Sequence, residues 1–197
     1  MEIYSISSEA DYNEALKRAL NVLRSGGVVV HPTDTCYGFA VDIFQKNALK
    51  RLYELKKMPL DKPVSIMVAS LEQAKYYGSF SQKALELAQK GWPGALTLVV
   101  PRKDTLPRYF NKNVETIGFR IPASSLCLAL VNGLKRPLTT TSANLSGLPP
   151  VYSVDDLARQ FEQEELKPDF ILDAGELKKN FPSRIFEVRD NDVFPIR

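Results

Sequence analysis

Gly26-Gly27-Val28-Val29-Val30-His31-Pro32-Thr33-Asp34-Thr35-Cys36-Tyr37-Gly38 is the stretch that decides the fold. Two glycines close a helix, because glycine adopts the left-handed conformation that ends one at little cost. Three successive valines then make a short strand that is apolar on both faces, as a strand buried within a sheet must be. Pro32 ends the ladder and opens a polar triplet of two hydroxyls and a carboxylate. Open α/β sheets bind ligands at such strand ends. Thr33, Asp34 and Thr35 are therefore the first candidates for a site, with cations and hydroxyls from elsewhere in the chain converging on them.

Outward from this stretch, helices and strands alternate. Upstream, Ser7 or Ser8 caps a helix with Ala15, Leu16, Ala19, Leu20 and Leu23 on one face. Downstream, residues 37–43 read as extended or irregular. A helix beginning at Asn47 carries Leu49, Leu52, Tyr53 and Leu55, and ends near Lys56-Lys57-Met58 because Pro59 disfavours helix just before it. Strands are expected at 63–69 and 95–100, the latter an unbroken apolar run that reads as central. Short helices follow Ser70 and span about 81–90. Residues 102–113 are basic and irregular. The segment 116–121 alternates, so Ile117, Phe119 and Ile121 face a core while Thr116, Gly118 and Arg120 share the other face. A helix at 124–133, a strand at 138–141, a helix at about 154–163 and strands near 170–173, 184–188 and 193–196 complete the pattern. With no repeat and no linker, residues 1–197 are expected to form a single α/β domain.

Composition narrows the function classes. Apolar residues at 44% and charged residues at 25% match an ordinary globular protein. No run approaches the roughly 18–20 apolar residues of a membrane span. Met1-Glu2-Ile3-Tyr4-Ser5 has no basic region followed by an apolar one, so no signal peptide and a cytoplasmic location are expected. Cys36 and Cys127 are the only cysteines, lie in no C-x-x-C pattern and read as small core residues. His31 is the single histidine, a strand residue near the mouth of the site, which disfavours histidine-rich metal sites and a Ser-His-Asp mechanism. Trp92 reads as core packing. No protein metal ligand is evident, and any chemistry must rest on positioning and charge. The net charge is only +3, yet residues 155–176 hold eight carboxylates against Arg159 and Lys167. Positive charge is thus concentrated elsewhere, including Lys56, Lys57, Lys62, Arg102 and Arg136, and is compatible with a polyanionic partner.

Neither a G-x-G-x-x-G after a strand nor a Walker A loop is present. What remains are four polar segments, each at the end of an apolar one: Pro32-Thr33-Asp34-Thr35, Lys56-Lys57-Met58-Pro59, residues 116–120, and Ser142-Ala143-Asn144. Together with Arg197 they suggest a site assembled from several loops.

In order, Pro-Thr-Asp-Thr-x-Tyr-Gly, Trp-Pro-Gly-Ala-Leu-Thr-Leu-Val-Val, Ile-Gly-Phe-Arg-Ile-Pro and Ser-Ala-Asn-Leu-Ser-Gly resemble the YrdC-like threonylcarbamoyl-AMP synthase family, over residues from about 10 to 197. The resemblance implies a twisted open mixed sheet with helices around a concave, positively lined cavity. It implies synthesis of threonylcarbamoyl-AMP from L-threonine, bicarbonate and ATP with release of pyrophosphate, for threonylcarbamoyladenosine modification of tRNA. Magnesium would be carried by the nucleotide phosphates. Partners implied are tRNA or double-stranded RNA and tRNA-modification transferases, with no membrane. Carried over by position, Thr33, Thr35, Arg120 and Ser183 would bind threonine. Lys56, Thr116, Thr140, Ser142, Asn144 and Arg197 would bind the nucleotide, with Lys56, Arg120, Ser142 and Asn144 the catalytic set. The family's Lys-x-Arg is Lys56-Lys57-Met58 here, its Ser-Thr is Ser183-Arg184, and Lys57 or Lys62 could bring a cation into the gap left at Met58. The chain would be the short form of the enzyme, without an appended domain. A YciO-like RNA- or nucleotide-binding protein with little synthase activity is the alternative.

Overall fold

Local signals set the helices. The hydroxyl of Ser8 accepts the backbone N–H of Asp11, and those of Ser70, Ser81, Ser124 and Ser153 do the same at four later helices. The computed structural model describes residues 1–197 and contains, in chain order, β1 (Glu2–Ser5), α1 (Glu9–Arg24), β2 (Val29–Pro32), β3 (Tyr37–Ala40), α2 (Lys46–Leu55), β4 (Ser65–Met67), α3 (Leu71–Tyr77) and α4 (Gln82–Gly91). There follow β5 (Leu96–Pro101), β6 (Thr116–Arg120), α5 (Ser125–Leu134), β7 (Leu138–Ser142), α6 (Val154–Phe161), β8 (Phe170–Asp173), β9 (Arg184–Arg189) and β10 (Asp192–Pro195). No helix is long and apolar enough to cross a membrane.

The ten strands form one mixed sheet in the order β1-β8-β2-β3-β7-β4-β6-β5-β9-β10. The pairs β1–β8, β8–β2, β4–β6 and β5–β9 are parallel and the other five antiparallel. The structure adds one strand, sharpens one reading and corrects another. Glu2–Ser5 forms an edge strand, missed because its exposed residues carry no apolar alternation. Part of 37–43 is a fully buried strand, β3, returning antiparallel to β2 with His31 opposite Gly38. The apolar run at β5 is not central but eighth of ten. Its apolar character comes from burial of its strand face under helices, which an edge-ward position permits equally well.

The two faces of the sheet are covered unequally, and this places the site. One face carries Val30, Phe39, Ile66, Leu98, Ile117 and Phe119 into the larger core. The other carries Val29, Ala40, Met67, Leu138 and Phe170 into a second core, with Ala15, Ala19 and Leu23 of α1 and Leu126, Cys127 and Leu130 of α5. These two helices pack on each other and on β1, β8 and β2. Further along, the same face has no helix above it, and there the strand parity delivers Thr140 and Ser142, Ser65, Gly118 and Arg120, and Thr97. A Cβ added at Gly118 would sit 2.2 Å from Ser65 Oγ and 3.2 Å from Thr97 Cγ2, so only glycine leaves the crowded strands together at this point.

Candidate active site: a cation-lined cavity on the open half of the sheet

Above this uncovered strand face lies a cavity of about 410 Å³, within the range of small-molecule sites. The turn after β2, the residues following α2, the end of β7 and its loop, the coil before β9, and Arg197 form its walls. Four cations line it, Lys56, Lys62, Arg120 and Arg197, and no carboxylate does. A cavity with that lining concentrates anions.

Lys56 follows the last turn of α2 and is 3% exposed. Its ammonium donates to the carbonyls of Ser142 and of Asn144, the latter at 2.7 Å, and lies 5.2 Å from the centre of the Phe39 ring. The backbone reciprocates, since Ser146 N donates to Lys56 O at 2.8 Å. One N–H of the ammonium remains for a ligand. Burial, and then the nearby Lys62, bring its pKa down from 10.5 to about 7.

Arg120 is tied down on the opposite side. Nη2 meets Asp34 Oδ1 at 2.6 Å, Nη1 donates to Thr35 Oγ1 at 3.3 Å, and Nε donates to the Gly94 carbonyl at 3.3 Å. A guanidinium has five N–H groups, so two remain. Thr33 uses its hydroxyl to build the turn, donating to Cys36 O at 2.7 Å and accepting from Thr35 N and Cys36 N. Asp34 faces the guanidinium rather than the cavity. The Ser142 hydroxyl donates to Asn144 Oδ1, and Asn144 Nδ2 donates to the carbonyls of Leu145 and Leu148, both at 2.7 Å. Asn144 thereby fixes the loop that holds Lys56. Arg197 donates from Nε and Nη2 to Ser183 O, each at 3.3 Å.

The matching family model, described as Sua5_yciO_yrdC, Telomere recombination, covers residues 21–197. The chain belongs to the Sua5/YciO/YrdC family. The threonylcarbamoyl-AMP synthase of Pyrococcus abyssi is 34% identical over 176 residues, 89% of this chain and 51% of that protein. The chain therefore spans about half the length of that curated relative. Among solved structures, P. abyssi Sua5 complexed with L-threonine gives a TM-score of 0.90 at 31% identity, covering all of this chain and 57% of that one. Escherichia coli YciO gives 0.86 at 25% identity, covering all of this chain and 95% of that one.

Within this Sua5/YciO/YrdC fold, nine of the ten sequence-derived site residues come together: Thr33, Thr35, Lys56, Arg120, Thr140, Ser142, Asn144, Ser183 and Arg197 all line the cavity. Thr116 does not. It begins β6, half-buried and paired with Pro101. Four steps along the strand put it about 13 Å from Arg120, so sharing a face did not bring it to the cavity. Two further readings change. Lys57, at φ +50°, turns outward and ion-pairs with Glu164 at 2.7 Å, so Lys62 is the lysine that stands in the cavity near Met58. Cys36 is a half-buried cavity residue rather than a core one, with burial pushing its thiol pKa up. Ser65 and Thr97 were missed, although strand alternation places them on the floor. Tyr152, Asn180 and Pro182 come from coil, where no periodic signal exists; Asn180 Nδ2 donates to the Asp34 carbonyl at 2.9 Å.

Proposed function

We propose that the cavity makes threonylcarbamoyl-AMP from L-threonine, bicarbonate and ATP, releasing pyrophosphate, and that the product serves threonylcarbamoyladenosine modification of tRNA. The observation that carries this reading is the lining of four cations without a carboxylate, together with a relative solved with L-threonine. The residues of one α/β domain would hold threonine and ATP together. Arg120, with two N–H groups uncommitted, would take the carboxylate of threonine. Lys56, Lys62 and Arg197 would neutralise the triphosphate, with Thr140 and Ser142 beside the junction. The threonine amine and bicarbonate form a carbamate with loss of water; a carbamate oxygen then attacks the α-phosphorus, and the bond to the pyrophosphate oxygen breaks. The protein supplies proximity and charge neutralisation to that step, and no side chain is asked to be a nucleophile. The lining has no carboxylate side chain to draw magnesium to the protein, and in this reading the ion travels with the triphosphate.

The test is incubation with ATP, labelled bicarbonate and L-threonine. Threonine-dependent pyrophosphate and a labelled adenylate are expected; their absence, with nucleotide still bound, would favour the YciO-like reading. Met58 gives that second reading its one specific support, since it is 8% exposed and packs with Tyr53 and Val64 where a second phosphate-facing cation would stand.

The titration of Lys56 supplies an independent check. Its folded pKa of about 7 lies below the ordinary 10.5, so the unfolded chain binds more protons between those values and stability rises with pH across that window. A bound triphosphate favours the ammonium. ATP binding at pH 8 should then take up about one proton, read by calorimetry in buffers of different ionisation enthalpy. Binding without proton uptake would show either that Lys56 is already an ammonium in the free protein, held so by the carbonyls of Ser142 and Asn144, or that it does not meet the phosphates.

A further inference from the structure

His31 is 1% exposed, and its Nε2 is buried with no hydrogen-bond partner in the protein. Such an orphan is unusual, because buried polar atoms are nearly always paired. The other ring nitrogen is accounted for. Nδ1 lies 3.2 Å from the Pro32 carbonyl and 3.4 Å from Cys127 Sγ. The carbonyl can only accept, and the Cys127 thiol at 3.5 Å is a weak donor to it, so the proton is assigned to Nδ1. Nε2 then presents a bare lone pair. Burial, and after it the nearby Arg120, lower the pKa of the ring to about 4, which keeps it neutral at physiological pH.

His31 does not itself line the cavity; its Nε2 lies behind the space that Gly38 leaves, and Gly38 does line it. His31 pairs across β2 and β3 with Gly38, which lines the cavity floor. A Cβ built on Gly38 would meet the Thr141 carbonyl at 3.3 Å, His31 Nε2 at 3.4 Å and Thr33 Cγ2 at 3.5 Å. The space that glycine leaves is thus bounded by two hydrogen-bond acceptors and a methyl group. Two acceptors call for a donor, not an anion. The nearby Arg120 guanidinium disfavours an ammonium there, while a neutral hydroxyl beside a methyl matches all three walls.

We propose that His31 Nε2, reached through the gap at Gly38, accepts a hydrogen bond from the side-chain hydroxyl of a β-hydroxy amino acid and makes this chain select threonine over its deoxy analogue. The inference rests on threonine being the amino acid bound, and it identifies a specificity-determining residue for that site. An analogue without the hydroxyl leaves the buried acceptor unpaired, which is the strongest form of discrimination a site can apply to so small a change.

The experiment compares L-threonine with L-2-aminobutyrate by calorimetry in the unaltered protein and in His31→Phe, His31→Gln and Gly38→Ala, with ATP affinity and melting temperature as checks on folding. The unaltered protein should prefer threonine by at least about tenfold. In His31→Phe the preference should collapse through loss of threonine affinity alone. His31→Gln, which returns an acceptor oxygen, should recover part of it. Gly38→Ala, whose methyl fills the space, should weaken threonine binding without unfolding the chain. Because His31 is the only histidine, its ¹⁵N resonances report directly: Nε2 should resonate as an unprotonated nitrogen and move on adding threonine but not 2-aminobutyrate. An unchanged preference in a folded His31→Phe, or an Nε2 resonance indifferent to threonine, overturns the role of His31 and leaves the synthase reading intact. Failure of the unaltered protein to bind either amino acid overturns both.

Discussion

Replacing Lys56 with methionine should lower ATP affinity by about a hundredfold, the worth of one charge-assisted hydrogen bond and its share of the cavity's potential. Methionine keeps the apolar stem against Phe39 and removes the charge. The change has a structural cost as well, because the carbonyls of Ser142 and Asn144 lose their donor in a place water reaches poorly. Each unpaired carbonyl costs about 1–3 kcal/mol. Removing a desolvated ammonium offsets part of this, so a fall in melting temperature of only a few degrees is expected. Titration calorimetry and a thermal melt read the two effects separately. ATP affinity equal to that of the unaltered protein would show that Lys56 is a structural clip for the loop following β7 and nothing more.

What the sequence disclosed about this site depended on where each residue sits relative to a regular element. Arg120 was legible from strand alternation alone, since Ile117 and Phe119 had to face a core and Arg120 could not. The same parity would have pointed to Ser65 and Thr97, but reading 63–69 and 95–100 simply as apolar strands passed over them. Alternation gives the face but not the distance along it, and that is why Thr116 shares a face with Arg120 yet stands outside the cavity. Lys56 carried no such signal. Any lysine at a helix C-terminus is favourable to the helix dipole, and only the ordered set of motifs singled it out. Its burial, and the outward turn of Lys57 beside it, follow from a left-handed residue after α2 that no composition reveals. Tyr152, Asn180 and Pro182 reach the cavity from coil, so their placement is purely tertiary. The edge strand Glu2–Ser5 was unreadable for a related reason, being held by parallel pairing to β8 from the far end of the chain.

The polar turn after β2 illustrates the difference between finding a site and assigning its atoms. Pro32-Thr33-Asp34-Thr35 does form one wall of the cavity, but its hydroxyl and carboxylate are largely spent on the protein. Thr33 closes the turn, and Asp34 holds Arg120. The turn contributes a positioned guanidinium, and, through the methyl of Thr33, one boundary of the space before His31.

That ion pair supports the second large effect. Arg120→Ala should destabilise the chain by about 3–5 kcal/mol, because it strands the Asp34 carboxylate in a nearly buried position. The two side chains are 7% and 14% exposed, so little water is available to replace the lost partner. For a chain of this size the melting temperature should fall by about 10 °C. Threonine binding should vanish in the same variant, but misfolding alone could produce that result. The double variant Arg120→Met, Asp34→Leu separates the causes. A buried pair replaced on both sides by apolar groups of similar volume is often no less stable than the original, so the melting temperature should recover. Threonine affinity should not, since the two uncommitted N–H groups proposed to hold the carboxylate are gone. A double variant that both folds and binds L-threonine would place the carboxylate elsewhere in the cavity, with Arg197 and Lys62 the remaining cations able to take it.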